Sequence, residues 1–124
     1  MDPTDDLVAD VFARACPSRS TLEDVASKWG ILALVALAEG NYRFNALRRR
    51  VDGVSEKMLS QTLHTLERDG MVRREVQATI PPRVEYSLTK LGAKVAERLV
   101  GLIELLEGEV PAVQAARATY DANK

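Results

Sequence analysis

The sequence predicts a mainly α-helical fold that carries one small β-hairpin. Three observations predict it. Apolar residues recur at helical spacing through most of the chain. Residues 72–88 instead alternate apolar and polar around Pro81-Pro82. Capping and turn residues punctuate the chain between these runs. The 124 residues, 46% of them hydrophobic, suffice for one domain with a modest core.

Leu7, Val8, Val11 and Phe12 predict a short helix over about residues 5–15, ended by Pro17. Ser20 and Thr21 then offer N-cap oxygens for a second helix, with Glu23 and Asp24 in its first turn to complement the dipole. Residues 29–38 include Ile31, Leu32, Leu34, Val35 and Leu37, the pattern of a buried helix anchored by Trp29 and stopped by Gly40-Asn41. Phe44, Leu47 and Val51 form the inner face of a further short helix, with Asn45, Arg48 and Arg49 outside. Asp52-Gly53 marks a tight turn.

Ser55 caps the next helix, with Glu56 in its first turn. Leu59, Leu63 and Leu66 make its apolar stripe, while Lys57, Ser60, Gln61 and His64 share another side. Asp69-Gly70 ends it. Val72, Arg74, Val76 and Ala78, then Val84, Tyr86 and Leu88, alternate with mostly polar neighbours as two strands of a hairpin. The two prolines belong in its loop, because they cannot donate to a ladder. Thr89 caps a last long helix in which Leu91, Val95, Leu99, Leu102 and Leu106 build a heptad-like seam suited to another helix. Pro111 ends or kinks it.

Charge distribution narrows the function. The formal net charge is -1, yet residues 43–94 hold 11 Lys/Arg against 6 Asp/Glu, and the rest holds 6 against 12. A basic middle between acidic ends suggests a nucleic-acid face on one part of the molecule. One cysteine, Cys16, excludes an internal disulfide framework, and with one histidine no four-ligand zinc site can form within a chain. No metal or cofactor is expected. No stretch approaches the roughly 20 apolar residues of a membrane span. The acidic start (Asp2, Asp5, Asp6) lacks the basic n-region of a signal peptide, so a cytoplasmic protein without membrane partners is expected.

Two helices joined by a short Gly-containing turn, the second exposing polar side chains, form a helix-turn-helix signature, and the hairpin that follows makes it a winged one. Such a helix enters the major groove of duplex DNA with its N-terminal residues at base edges. Gln61 is suited to paired hydrogen bonds with adenine and Lys57 to guanine, with Ser60 and His64 less selective. Ser55 begins a helix N-terminus able to meet phosphate. Arg43, Asn45, Arg48 and Arg49 precede the turn, and the arginines there, Arg50 included, suit phosphate contacts. Arg50 is more simply a solvated side chain, as is Arg68. Arg83, at the hairpin tip, can reach an adjacent groove or the backbone.

The chain resembles the HxlR family of bacterial winged-helix regulators over nearly its whole length. The residues that carry the resemblance are Cys16-Pro17, Lys28-Trp29, Gly40, Arg43-Phe44, Leu47, Ser55, Met58-Leu59, Leu63, Leu66, Gly70, Val72, Arg73, Pro81-Pro82 and Gly92. The clearest run is Val84-Glu85-Tyr86-Ser87-Leu88-Thr89. The resemblance implies a homodimer held by terminal helices, a recognition helix near residues 55–69 and a wing near residues 79–83. It also implies binding to inverted repeats upstream of regulated genes, and a repressor is expected, since a compact dimer acts by occupying a promoter. Residues 1–27 and 89–124 are then dimerisation segments flanking a DNA-binding core at residues 28–88. Leu7, Val11, Phe12, Leu91, Val95, Leu99, Leu102 and Leu106 are the candidate dimer residues.

In several members of the family the cysteine matching Cys16 senses oxidants or electrophiles. The same role is a candidate for Cys16, with Arg14 and Arg19 nearby to favour the thiolate; a structural, partly buried thiol is the competing reading. The other competing readings are a MarR-like regulator answering to a small apolar ligand at the dimer interface, an enzyme and a protein-interaction module. The enzyme has little support, because no phosphate-binding loop appears and a Cys-His pair would need Cys16 and His64 to converge. The interaction module leaves Lys57, Gln61 and the arginines without a purpose.

Overall fold

Hydroxyl side chains start three of the helices. Ser27 Oγ accepts from the Gly30 N–H at 3.1 Å, Ser55 Oγ from Met58 at 3.0 Å, and Thr89 Oγ1 from Gly92 at 3.0 Å. Each satisfies a backbone donor that the first helical turn leaves open, worth about 1 kcal/mol. The computed structural model describes residues 10–124. In chain order they form α1 (Pro17–Val25), α2 (Lys28–Glu39), β1 (Tyr42–Arg43), α3 (Phe44–Arg50), α4 (Glu56–Arg68), β2 (Val72–Thr79), β3 (Pro82–Leu88), α5 (Lys90–Gly108) and α6 (Val110–Ala122).

Leu34 of α2, Leu47 of α3 and Leu59, Leu63 and Leu66 of α4 are fully buried and centre the core. Each such leucine contributes roughly 1.5–3 kcal/mol of transfer free energy. Trp29 packs half-buried against this cluster, with the Lys28 ammonium 4.5 Å from its ring centroid. The link from α3 to α4 is pinned by buried Val51 and Val54, and Gly53 between them adopts φ +90°, where a side chain would be strained. The helix-turn-helix is therefore rigid at its corner.

β2 and β3 pair antiparallel from Val72↔Leu88 out to Thr79↔Pro82, with an irregularity between Val76 and Ala78. β1, which the sequence reading missed, adds a third strand through Tyr42↔Tyr86 and Arg43↔Glu85, giving the order β1-β3-β2. The fold is a winged helix-turn-helix. Within β2 only Val72 is buried; Val76 is 52% exposed, because the hairpin leaves the core and projects.

Two expectations are corrected. Residues 11–15 form turns rather than the end of a helix, and Pro17 opens α1 instead of ending the preceding segment. Proline lacks only an N–H that the first turn leaves unbonded anyway, so it is well tolerated there. Ser20 and Thr21 consequently lie inside α1, whose N-cap is Cys16, and Glu23 and Asp24 approach its C-terminal end. Leu7 and Val8 lie outside the described residues.

Asp69, the C-cap of α4, meets Asp24 near the end of α1, and one of its carboxylate oxygens is buried without a hydrogen-bond partner. Burial, and then the neighbouring Asp24 carboxyl, push the Asp69 pKa up. A carboxyl whose pKa is raised on folding binds its proton more tightly in the native state. Its contribution is therefore fully present below the unfolded value near pH 4 and is lost as pH rises through the raised folded value. Asp24→Asn should accordingly gain stability over wild type between pH 4 and 7, measured by thermal melting across that range. A constant difference between the two proteins at all pH values would remove the carboxyl pair as its cause.

Candidate nucleic-acid interface

α4 presents its capped N-terminus and one polar side to solvent. Lys57, Ser60, Gln61 and His64 are all exposed, opposite buried Leu59, Leu63 and Leu66. They do not form one uniform patch. Lys57 and Ser60 border a hollow shared with Glu56, Phe44 and Tyr86, on the side of the sheet. Gln61 borders a groove with Glu23, Asp24 and Ser27, on the side of α1. The face is thus flanked by an aromatic wall on one edge and by carboxylates on the other.

Two open clefts lie on the arginine side. One, of about 510 Å³, is lined by Asn45, Arg48, Arg49, Asp52, Gly53, Val54 and Ser55. It brings Asn45 and two arginines to the N-terminus of α4, where free N–H groups and the helix dipole favour an anion. Arg48 makes a long 3.5 Å hydrogen bond to the Val54 carbonyl, which holds its guanidinium at the turn. The other cleft, of about 650 Å³, runs between the start of α3 and the wing. Arg43, Arg49 and Arg83 all line it, with Asn45 beside them. Arginines distant in sequence thereby border one depression, as a phosphate backbone requires.

Arg50 takes a different role. It forms a two-pronged ion pair with Glu39 at 2.7 and 2.6 Å, tying α3 to the end of α2. The guanidinium, with the Tyr42 hydroxyl at 3.1 Å, holds the Glu39 carboxyl below its ordinary range. The sequence reading missed Asn41 and Tyr42 at this site. Asn41 donates to Glu85 at 3.1 Å and Tyr42 pairs with Tyr86, so they brace the wing against α3. A two-residue strand carries too little alternation to be read in advance.

Cys16 sits apart from this face. It is partly exposed at the N-terminus of α1. The thiol makes no well-formed cap bond, yet its pKa is lowered, first by the Ser18 hydroxyl, against an opposing desolvation, and further by backbone groups of Ser18, Arg19 and Asp10. The expected charge of Arg19 is spent elsewhere, on Glu23 at 3.3 Å and the Phe12 carbonyl at 3.2 Å. Among the described residues no group of three His, Cys, Asp or Glu is placed to hold a metal ion.

The HxlR-like helix-turn-helix family matches residues 24–113, a span that includes every element from α2 to α5. The chain belongs to this family. The HTH-type transcriptional regulator YtfH of Escherichia coli K12 is 51% identical over 107 residues, covering 86% of this chain and 85% of the relative. The solved structure of the YtfH regulator of Salmonella typhimurium superposes with a TM-score of 0.81 at 50% identity, covering 86% and 96% of the two chains. The reduced form of the redox regulator HypR gives a TM-score of 0.73 at 33% identity, covering 80% and 98%. As an HxlR-like protein the chain is a transcriptional regulator with a DNA-binding helix-turn-helix, in a family of regulators rather than enzymes. None of its described helices is long and apolar enough to cross a membrane.

Proposed function

We propose that the chain is a homodimeric repressor that reads inverted-repeat operators and responds to oxidants or electrophiles through Cys16. The observation that carries the DNA reading is the convergence of Asn45, Arg48 and Arg49 on the N-terminus of α4, beside the exposed Lys57, Ser60, Gln61 and His64. α4 enters the major groove, the arginines hold phosphates, and Arg83 extends the contact along the wing. Gln61→Ala should lower discrimination between operator and random duplex by about 1–3 kcal/mol. Equal losses on both duplexes would show that Gln61, beside the α1 carboxylates, reads no base.

Dimerisation is supported by what α5 and α6 leave uncovered. Val95 and Leu99 pack against the core, but Leu91, Leu102 and Leu106 are 46–50% exposed. Leu105, Val110, Val113 and Tyr120 continue this apolar surface, and no residue of α6 is buried. Exposed apolar side chains gathered on two terminal helices support a face that a second copy of the chain would cover. Phe12, 88% exposed, and Val11 lie at the other terminal segment proposed to join it.

The redox reading draws on the lowered Cys16 thiol and on the similarity to HypR, a redox regulator. A thiolate at a helix N-terminus is the reactive form. With one cysteine per chain, diamide can yield a disulfide between subunits or a mixed disulfide with a small thiol. The test is fluorescence anisotropy on DNA from upstream of the chain's own and neighbouring genes, reduced and then treated with diamide. Tight reduced binding that weakens on oxidation, and no longer weakens in Cys16→Ser, is expected. Tight binding insensitive to diamide would move the signal to a small apolar molecule.

A further inference from the structure

The wing ends in an unusual residue. Ile80, in the turn between β2 and β3, is 93% exposed, the most exposed of the described large apolar side chains. Hairpin turns favour Gly, Asn and Asp, whose backbone freedom and local hydrogen bonds suit the geometry. A β-branched apolar side chain supplies neither. Here it is followed by Pro81 and Pro82, which stiffen the tip, and by Arg83. The irregularity between Val76 and Ala78 leaves Gln77 without a cross-strand partner, a feature that twists and re-aims a hairpin end.

Position matters as much as chemistry. Arg74 pairs with Tyr86, and Tyr86 borders the same hollow as Lys57 and Ser60 of α4. From Arg74 to Ile80 the strand and turn advance over a distance of about 20 Å at roughly 3.3 Å per residue. Along B-DNA the minor groove follows the major groove by about half of a ~34 Å turn. With α4 in the major groove, that length is enough for the tip to reach the flanking minor groove, which would leave the cleft lined by Arg43, Arg49 and Arg83 to face the backbone between them.

We propose that Ile80 is an apolar wedge which enters the minor groove beside each half-site, parts one base step and bends the duplex. The inference rests on the DNA-binding reading above. Apolar side chains inserted at a base step unstack it and bend the duplex away from the minor groove, and pyrimidine–purine steps yield most easily. The wedge therefore makes the flank selective for such a step although no side chain hydrogen-bonds to its bases there. Arg83 beside the tip neutralises the phosphates that converge across the groove.

The experiment uses the full chain and duplexes that it selects from a random-sequence pool. 2-Aminopurine is placed at successive flanking positions to report unstacking, and end-to-end energy transfer reports the bend. Wild type should brighten the probe at one flanking step per half-site and bend the duplex by about 20–90°. Ile80→Ser should leave the probe dark and the bend below about 20°, with an unchanged melting temperature because the side chain touches little. Ile80→Met, which retains an apolar wedge, should restore both signals. A bound duplex that wild type neither bends nor unstacks overturns the wedge alone, as does an Ile80→Ser variant indistinguishable from wild type. If no duplex emerges from the pool, the DNA-binding reading falls and the wedge with it.

Discussion

Gly92→Ala is expected to destabilise the protein by about 2–5 kcal/mol, against the usual gain of about 1 kcal/mol for replacing glycine by alanine inside a helix. Gly92 is buried in the first turn of α5, hard against the segment joining α4 to β2. A methyl group there would lie 2.8 Å from the Met71 carbonyl carbon and closer still to its oxygen. The obstacle is backbone, so no rotamer change relieves it. Moving α5 outward would strain two bonds across the junction and the helix cap that shares their hydroxyl. The Thr89 N–H donates to the Met71 carbonyl at 3.1 Å, the Thr89 hydroxyl donates to the Gly70 carbonyl at 2.6 Å, and the Gly92 N–H donates to the Thr89 hydroxyl at 3.0 Å. Overpacking costs about 1–3 kcal/mol, and a lost cap with its hydrogen bonds adds about 1–2. That is a large share of a total stability of about 5–15 kcal/mol. Gly101→Ala in the same helix meets open space and should instead be neutral or stabilising. Urea unfolding of both variants checks the pair; a Gly92→Ala midpoint at or above wild type would show that α5 docks less tightly than this junction implies.

Elements whose local pattern agrees with their burial were legible in the sequence, and those fixed by distant contacts were not. α4 was readable because one stripe, Leu59, Leu63 and Leu66, is buried while a cap precedes it and Asp69-Gly70 follows. Local pattern and tertiary burial agree there. The wing was readable from alternation, although its outer half alternates without a core beneath it. α1 was misplaced because proline is both a helix breaker and a favoured first residue, and only the packing of Val25 into the core decides between them. β1 was invisible because its two residues are defined by pairing with β3, more than 40 residues away in the chain. Within the site, residue types carried the expectation for Lys57, Ser60, Gln61 and His64, but not their surroundings. That Gln61 faces α1 carboxylates, and that Arg50 is occupied by Glu39, follow from how α1 and α2 pack around the helix-turn-helix.

The second large effect concerns the cleft between α3 and the wing. Replacing Arg43, Arg49 and Arg83 together by alanine should make the dependence of log K on log salt shallower by about 2.7, since each phosphate neutralised contributes about 0.9. Over a fourfold rise in salt, from about 50 to 200 mM, wild type would then lose roughly 40-fold more affinity than the triple variant does. The three guanidiniums border one depression, where each can release a counterion on binding a phosphate. Arg50→Ala is the internal comparison. Its guanidinium is held by Glu39, so the variant should leave the salt slope unchanged while loosening the end of α2. Anisotropy titrations on operator and on random duplex separate the contributions, because phosphate contacts weaken both alike. A triple variant with the wild-type slope would place the backbone elsewhere, and an Arg50→Ala variant with a reduced slope would mean that Glu39 releases its partner when DNA arrives.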